Sequence, residues 1–251
     1  GQLDRAQVGR QVAARARHAL QQVVAQLGSQ SYGNPVVAGG KAYVGTNNGK
    51  GWIGRYPSSV DLGCLLAFNT NDGSFLWQDS SEKLPTGRVH DWPLQGICCS
   101  PYVEGDRLWY VTSRGEVKCL DTEGFHDGEN DGPFAAEKET GKDEADVVWV
   151  LDMMKQLGVS QHNMCSCSVT AVGDLLFVNT SNGVDEGHIN LPNAAAPSFL
   201  CVDKRDGKVL WADGSPLEPT PSSLYFSTRD GRVFRLPAHM TTATAKPEPV
   251  P

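Results

Sequence analysis

The side chains best suited to chemistry in this chain are its cysteines and a run of carboxylates, and their spacing decides what they can do. Cys98 and Cys99 are adjacent in Gly96-Ile-Cys-Cys-Ser-Pro101. Such a pair either closes a strained vicinal disulfide or stays as two thiols, one facing in and one out. Cys165 and Cys167 lie two apart on an extended segment. They share a face, are poorly placed to bond each other, and lack the second pair of ligands that zinc requires. Cys64, Cys119 and Cys201 sit inside apolar strand patterns and read as small buried hydrophobes. Glu123 to Asp146 is calcium-like in composition only, because Asp127-Gly-Glu-Asn-Asp131 lacks the spacing and closing Glu of a helix-loop-helix site. It reads as a solvated acidic loop. No Cys-x-x-Cys-His occurs, so no covalent c-type haem is expected, and no carboxylate has the context of a catalytic base.

The elements that must position these residues announce themselves by repetition. Leu65-Leu-Ala-Phe-Asn-Thr-Asn-Asp-Gly-Ser-Phe-Leu-Trp77 and Phe199-Leu-Cys-Val-Asp-Lys-Arg-Asp-Gly-Lys-Val-Leu-Trp211 each read as a hairpin with a two-residue Asp-Gly turn, the second strand ending on Trp. Upstream, the segments beginning at Pro35, Pro101 and Ser168 repeat two apolar strands around a glycine turn. Four strands per repeat make a propeller blade, so the expected fold is all-β, with blades at 31–78, 97–150 and 165–212 and a partial blade at 222–236. Trp77, Trp149 and Trp211 should then occupy equivalent places between neighbouring sheets. Insertions at Lys50 to Gly63 and Val184 to Pro197 fall at the same place in the first and third blades, which puts them on one rim and makes that rim the candidate binding face.

Both ends depart from the repeat. Apolar residues at helical spacing, interleaved with Arg5, Arg10, Arg15 and Arg17, predict an amphipathic helix over about 3–20 within an N-terminal segment 1–28. Gln22 to Leu27 is readable instead as a strand pairing with a blade. The run lacks the apolar core of a secretory signal; an exported protein has already lost one. After Trp211 roughly one strand is missing before Leu224, which suggests sequence lost between about Ser215 and Ser222. Ring closure then predicts that Leu224 to Leu236 lies against the first blade, and residues 237–251 read as a disordered tail. With 251 residues, a net charge of −7 and a pI near 5.3, neither nucleic acid nor an anionic membrane is the expected partner. No run is long and apolar enough to span a bilayer.

The repeated Leu-Ala-Phe-x-x-x-Asp-Gly-x-x-x-Trp hairpin resembles the tryptophan-docking motif of propellers related to quinoprotein dehydrogenases, which use pyrroloquinoline quinone (PQQ). Residues 28–216 resemble part of the PQQ-binding-like repeat proteins of planctomycetes and related bacteria, with 224–236 similar to a closing blade. The resemblance implies a periplasmic, envelope or secreted location and a fuller ring of about eight blades. It also implies candidate sites. Cys98 and Cys99 would pack on PQQ as a vicinal disulfide. Asn179, Asn182, Asp185 and Glu186 would offer oxygens to calcium, and Arg88 or Arg114 would meet the cofactor's carboxylates. Two functions follow: a non-catalytic binding or scaffold subunit using rim loops to hold other protein subunits, among them a chain completing the propeller, or a PQQ- and calcium-dependent dehydrogenase of alcohols or sugars.

Overall fold

The computed structural model describes residues 24–213, 223–227, 233–237 and 248–249; the helix expected over 3–20 lies outside them. Three antiparallel four-stranded sheets follow one another along the chain. Blade one is β1 (Val36–Ala38), β2 (Lys41–Asn47), β3 (Leu62–Asn69) and β4 (Phe75–Glu82). Blade two is β5 (Tyr102–Glu104), β6 (Arg107–Val111), β7 (Glu116–Asp121) and β8 (Val147–Asp152). Blade three is β9 (Thr170–Val172), β10 (Leu175–Asn179), β11 (Phe199–Asp203) and β12 (Val209–Ala212). Each is a simple meander in chain order, the short-connection topology that apolar strands with glycine turns favour.

The three tryptophans occupy the same register position. Trp77 pairs with Ala67, Trp149 with Cys119 and Trp211 with Cys201, and each sheet has a bulge immediately beyond that pair. The first two indoles are docked identically. Trp77 Nε1 donates to the carbonyl of Thr122 at 3.1 Å, and Trp149 Nε1 to that of Lys204 at 3.2 Å; both acceptors directly follow the third strand of the next blade. Trp77 is fully buried in a cluster with Leu108, Tyr110 and Leu120 of blade two, and Trp149 in one with Leu176, Leu200 and Val202 of blade three. Inter-sheet packing thus puts a large aromatic in a dry slot while its one donor is satisfied. Each also rests on a glycine of the next blade: a Cβ on Gly124 would lie 2.9 Å from Trp77 Cδ1, and one on Gly207 2.5 Å from Trp149 Cε3.

The Asp-Gly turns differ from the expected two-residue form. In both hairpins a four-residue loop is closed by Gly73 N to Asn69 O and Gly207 N to Asp203 O. Only the glycines have positive φ, 74° and 75°, while Asp72 and Asp206 do not. A type I′ turn needs positive φ at both central residues; here the aspartates instead accept from backbone two residues on, Asp72 Oδ1 from Ser74 N at 2.9 Å and Asp206 Oδ1 from Lys208 N at 3.0 Å.

Residues 24–27 form no strand. Ala25 and Leu27 pack with Trp52, Tyr56 and Phe75 over Val44, Leu66 and Phe68. Trp52 stacks on Phe75 at 5.1 Å and 4° and donates Nε1 to Gln26 O at 2.8 Å, so blade one's outward face is covered from within the chain. After blade three, β13 (Ser223–Ser227) and β14 (Val233–Pro237) pair with each other and with β15 (Glu248–Pro249) as a separate sheet. The strand pairings join it neither to β1, as ring closure predicted, nor to β12. Two residues of the expected disordered tail are therefore in a strand.

Candidate functional site

In a meander, alternate connections emerge at the same end, so the β2–β3, β4–β5, β6–β7, β8–β9 and β10–β11 loops share one rim. Polar side chains lock these loops across blade boundaries. Gln161 Nε2 donates to Ser113 O at 2.7 Å and also to His90 O. Trp92 N donates to Asn163 O, and Cys165 N to Ser113 O. Lys83 Nζ meets the buried Asp91 carboxylate. Helix α1 (Met153–Leu157) is held by its Asp152 cap, which accepts from Lys155 N, and ended by Gly158 in the left-handed region.

All the residues singled out for cofactor chemistry lie on or beside this rim, and all but the exposed Glu186 have side chains bonded or packed to other protein groups. Asn182 Oδ1 accepts from Ser160 N at 3.0 Å, and its Nδ2 donates to Asn193 O and Ala196 O. Asn179 Oδ1 accepts from Ser181 N at 2.8 Å. Asp185 Oδ1 accepts from Ile189 N at 2.9 Å and Oδ2 from Asn190 Nδ2 at 2.7 Å, bonds that hold its carboxyl below the usual range. Glu186 is exposed. Asn179, Asn182 and Asp185 thus brace the β10–β11 insertion, and Asn182 also ties it to Ser160 of the β8–β9 loop. Among the described residues no group of three or more His, Cys, Asp or Glu is arranged for a metal ion.

Cys98 and Cys99 are free thiols engaged separately: Cys98 Sγ donates to Gly96 O at 3.5 Å and Cys99 Sγ to Val111 O at 3.1 Å. Burial raises both, Cys99 to about 12. Arg88 stacks over Trp92 at 4.3 Å, and Arg114 Nη1 donates to Glu82 O at 3.0 Å beside Glu116. In this structure Cys98 and Cys99 form no disulfide, and Arg88 and Arg114 are engaged with Trp92 and Glu82. Cys165 and Cys167 are likewise free thiols, and Cys165 Sγ donates to Asn179 O at 3.7 Å and accepts from Ser181 Oγ at 3.4 Å.

What the rim does present is apolar side chains on braced loops. Leu94 is 60% exposed at φ 61°, a conformation that costs a non-glycine residue free energy unless its surroundings impose it. Asp61 Oδ2 accepts from Leu94 N at 2.7 Å, and Asn47 Nδ2 donates to Leu94 O. Ile189, 82% exposed, is held up by the Asp185 staple, and Val60 and Leu191 are also exposed. Sequence reading found the insertions but not this display, because the braces join residues far apart in the chain.

A second feature it missed is a groove of about 370 Å³ between blades one and two, lined by Asp79, Lys118, Glu116, Glu137 and Glu144 among others. At its base Lys118 Nζ lies 3.0 Å from Asp79 Oδ2, and Tyr110 OH donates to the same oxygen; burial raises Tyr110 well above its ordinary value. A lysine between Val117 and Cys119 was the available signal.

No family model matches the chain, and no curated protein matches it. Among solved structures it is similar to a europium-containing methanol dehydrogenase (12% identity, TM-score 0.44, covering 80% of this chain and 28% of that one). It is also similar to the quinohemoprotein alcohol dehydrogenase ADHIIG of Pseudomonas putida HK5 (10%, 0.46, 87% and 34%) and to BamB from Moraxella catarrhalis (14%, 0.35, 84% and 62%). The chain spans about a third of the length of the two dehydrogenases. The blades themselves are established by strand pairing and by the docked indoles.

Proposed function

We propose that this chain is a non-catalytic propeller module of a bacterial envelope or secreted assembly, holding another protein subunit through its loop-rich rim. The observation that carries this reading is the display of Leu94 and Ile189, apolar, exposed and braced by Asp61, Asn47 and Asp185. Exposed apolar side chains fixed in advance lose little entropy on binding and suit a protein interface. The bond that braces Ile189 also engages an oxygen of Asp185, one of the candidate calcium residues. The test is co-purification from the envelope fraction of the producing organism, comparing wild type with Leu94→Asp/Ile189→Asp at matched melting temperature. A defined partner retained by wild type and lost by the variant supports the reading. Calcium-dependent, PQQ-dependent turnover of an alcohol or sugar with a dye acceptor would instead establish the dehydrogenase reading.

A further inference from the structure

Blade three turns Leu175, Phe177, Phe199, Cys201 and Trp211 to the side away from blade two. This is the face that, in blades one and two, receives the next blade. The β13–β14 hairpin carries a register that identifies its place. Its pairs Leu224↔Leu236, Tyr225↔Arg235, Phe226↔Phe234 and Ser227↔Val233 reproduce Leu108↔Leu120, Trp109↔Cys119, Tyr110↔Lys118 and Val111↔Val117 of blade two. The third strand extends the match, since Arg235↔Glu248 and Phe234↔Pro249 correspond to Cys119↔Trp149 and Lys118↔Val150. In blade two, Leu108, Tyr110 and Leu120 pack toward blade one, whereas Trp109, Val111, Cys119 and Trp149 pack toward blade three.

We infer that β13, β14 and β15 are strands two to four of a fourth blade whose Leu224, Phe226, Phe234 and Leu236 positions cover the outer face of blade three. The same register puts Tyr225, Ser227, Val233, Arg235 and Glu248 at the positions that in blade two face blade three, with Glu248 at the position of the docking tryptophan. The covering segment belongs to this chain, and the surface is a joint between blades, not a socket for another subunit.

Hydrogen exchange followed by mass spectrometry on the full chain tests this assignment. Wild type should protect 199–212 as it does 62–82. Phe226→Asp should speed exchange in 199–212 by about tenfold or more while 62–82 and 107–121 stay protected. Tyr225→Asp, at the opposite-face position, should leave 199–212 unchanged. If Phe226→Asp also deprotects 62–82, Phe226→Ala is read in the same way. The inference is overturned if the Phe226 variants leave 199–212 protected, if Tyr225→Asp acts like Phe226→Asp, or if wild-type protection of 199–212 falls on dilution, which would make the cover a second copy.

Discussion

Trp77 shows how much one side chain carries: its ring fills the joint between two blades and its nitrogen satisfies a carbonyl of the second. Trp77→Ala should cost about 3–5 kcal/mol, and Trp77→Phe about 1–2 kcal/mol, since it keeps most of the packing but strands the Thr122 carbonyl. Urea midpoints at constant slope would measure both. Lys118 and Asp79 make a different kind of joint, a buried ion pair across the same boundary. Lys118→Met leaves Asp79 charged and short of a partner and should cost about 3–5 kcal/mol, whereas Asp79→Leu/Lys118→Met should recover most of it. The tryptophans were legible in the sequence because they repeat. Lys118 was not, because its partner lies on another blade and strand alternation cannot show a contact between sheets.

At the level of elements, the strands of the three blades and the three long insertions between them were readable, while β15 and the turn geometry were not. The Asp-Gly pairs predicted a hairpin correctly but the wrong loop, because the aspartates bond forward to the backbone. Gly207→Ala tests the consequence: at φ 75°, with Trp149 Cε3 2.5 Å from the new Cβ, it should cost about 1–3 kcal/mol, read again as a urea midpoint. The acidic insertion Glu123 to Asp146 has its own signature in pH. Burial pushes Asp121 and Asp146 at its two ends up to about 6; Arg107, shared among Asp106, Asp121 and Asp131, does not offset it. An acid with a raised folded value binds its proton more tightly in the folded chain, so these two carboxyls favour folding below about pH 4 and lose that contribution as pH rises to about 6. Asp146, 1% exposed, has one oxygen without a partner. Asp146→Asn should therefore raise stability by about 2 kcal/mol at pH 7.5 and change little at pH 4, measured by urea titration at both pH values.

Taken whole, the molecule is a row of sheets whose all-β repeat was plain in the sequence, while its end and its chemistry were not. The candidate calcium residues were chosen for their oxygens, but which loop atom an oxygen faces depends on a fold that spacing does not encode. The committed oxygens of Asn179, Asn182 and Asp185 predict that millimolar calcium, with or without PQQ, leaves the thermal midpoint within about 1 °C of its starting value; scanning calorimetry with a chelator control would check it. The docked indoles carry one more implication. Trp77 and Trp149 each belong to one sheet but bond to the next, so a sheet's stability is partly held by its neighbour and cooperativity passes only from neighbour to neighbour. Leu27 and Trp52 fasten the blade-one end, so melting should run as an unzipping that starts at the far end, with Trp211 reporting the first loss and Trp77 the last.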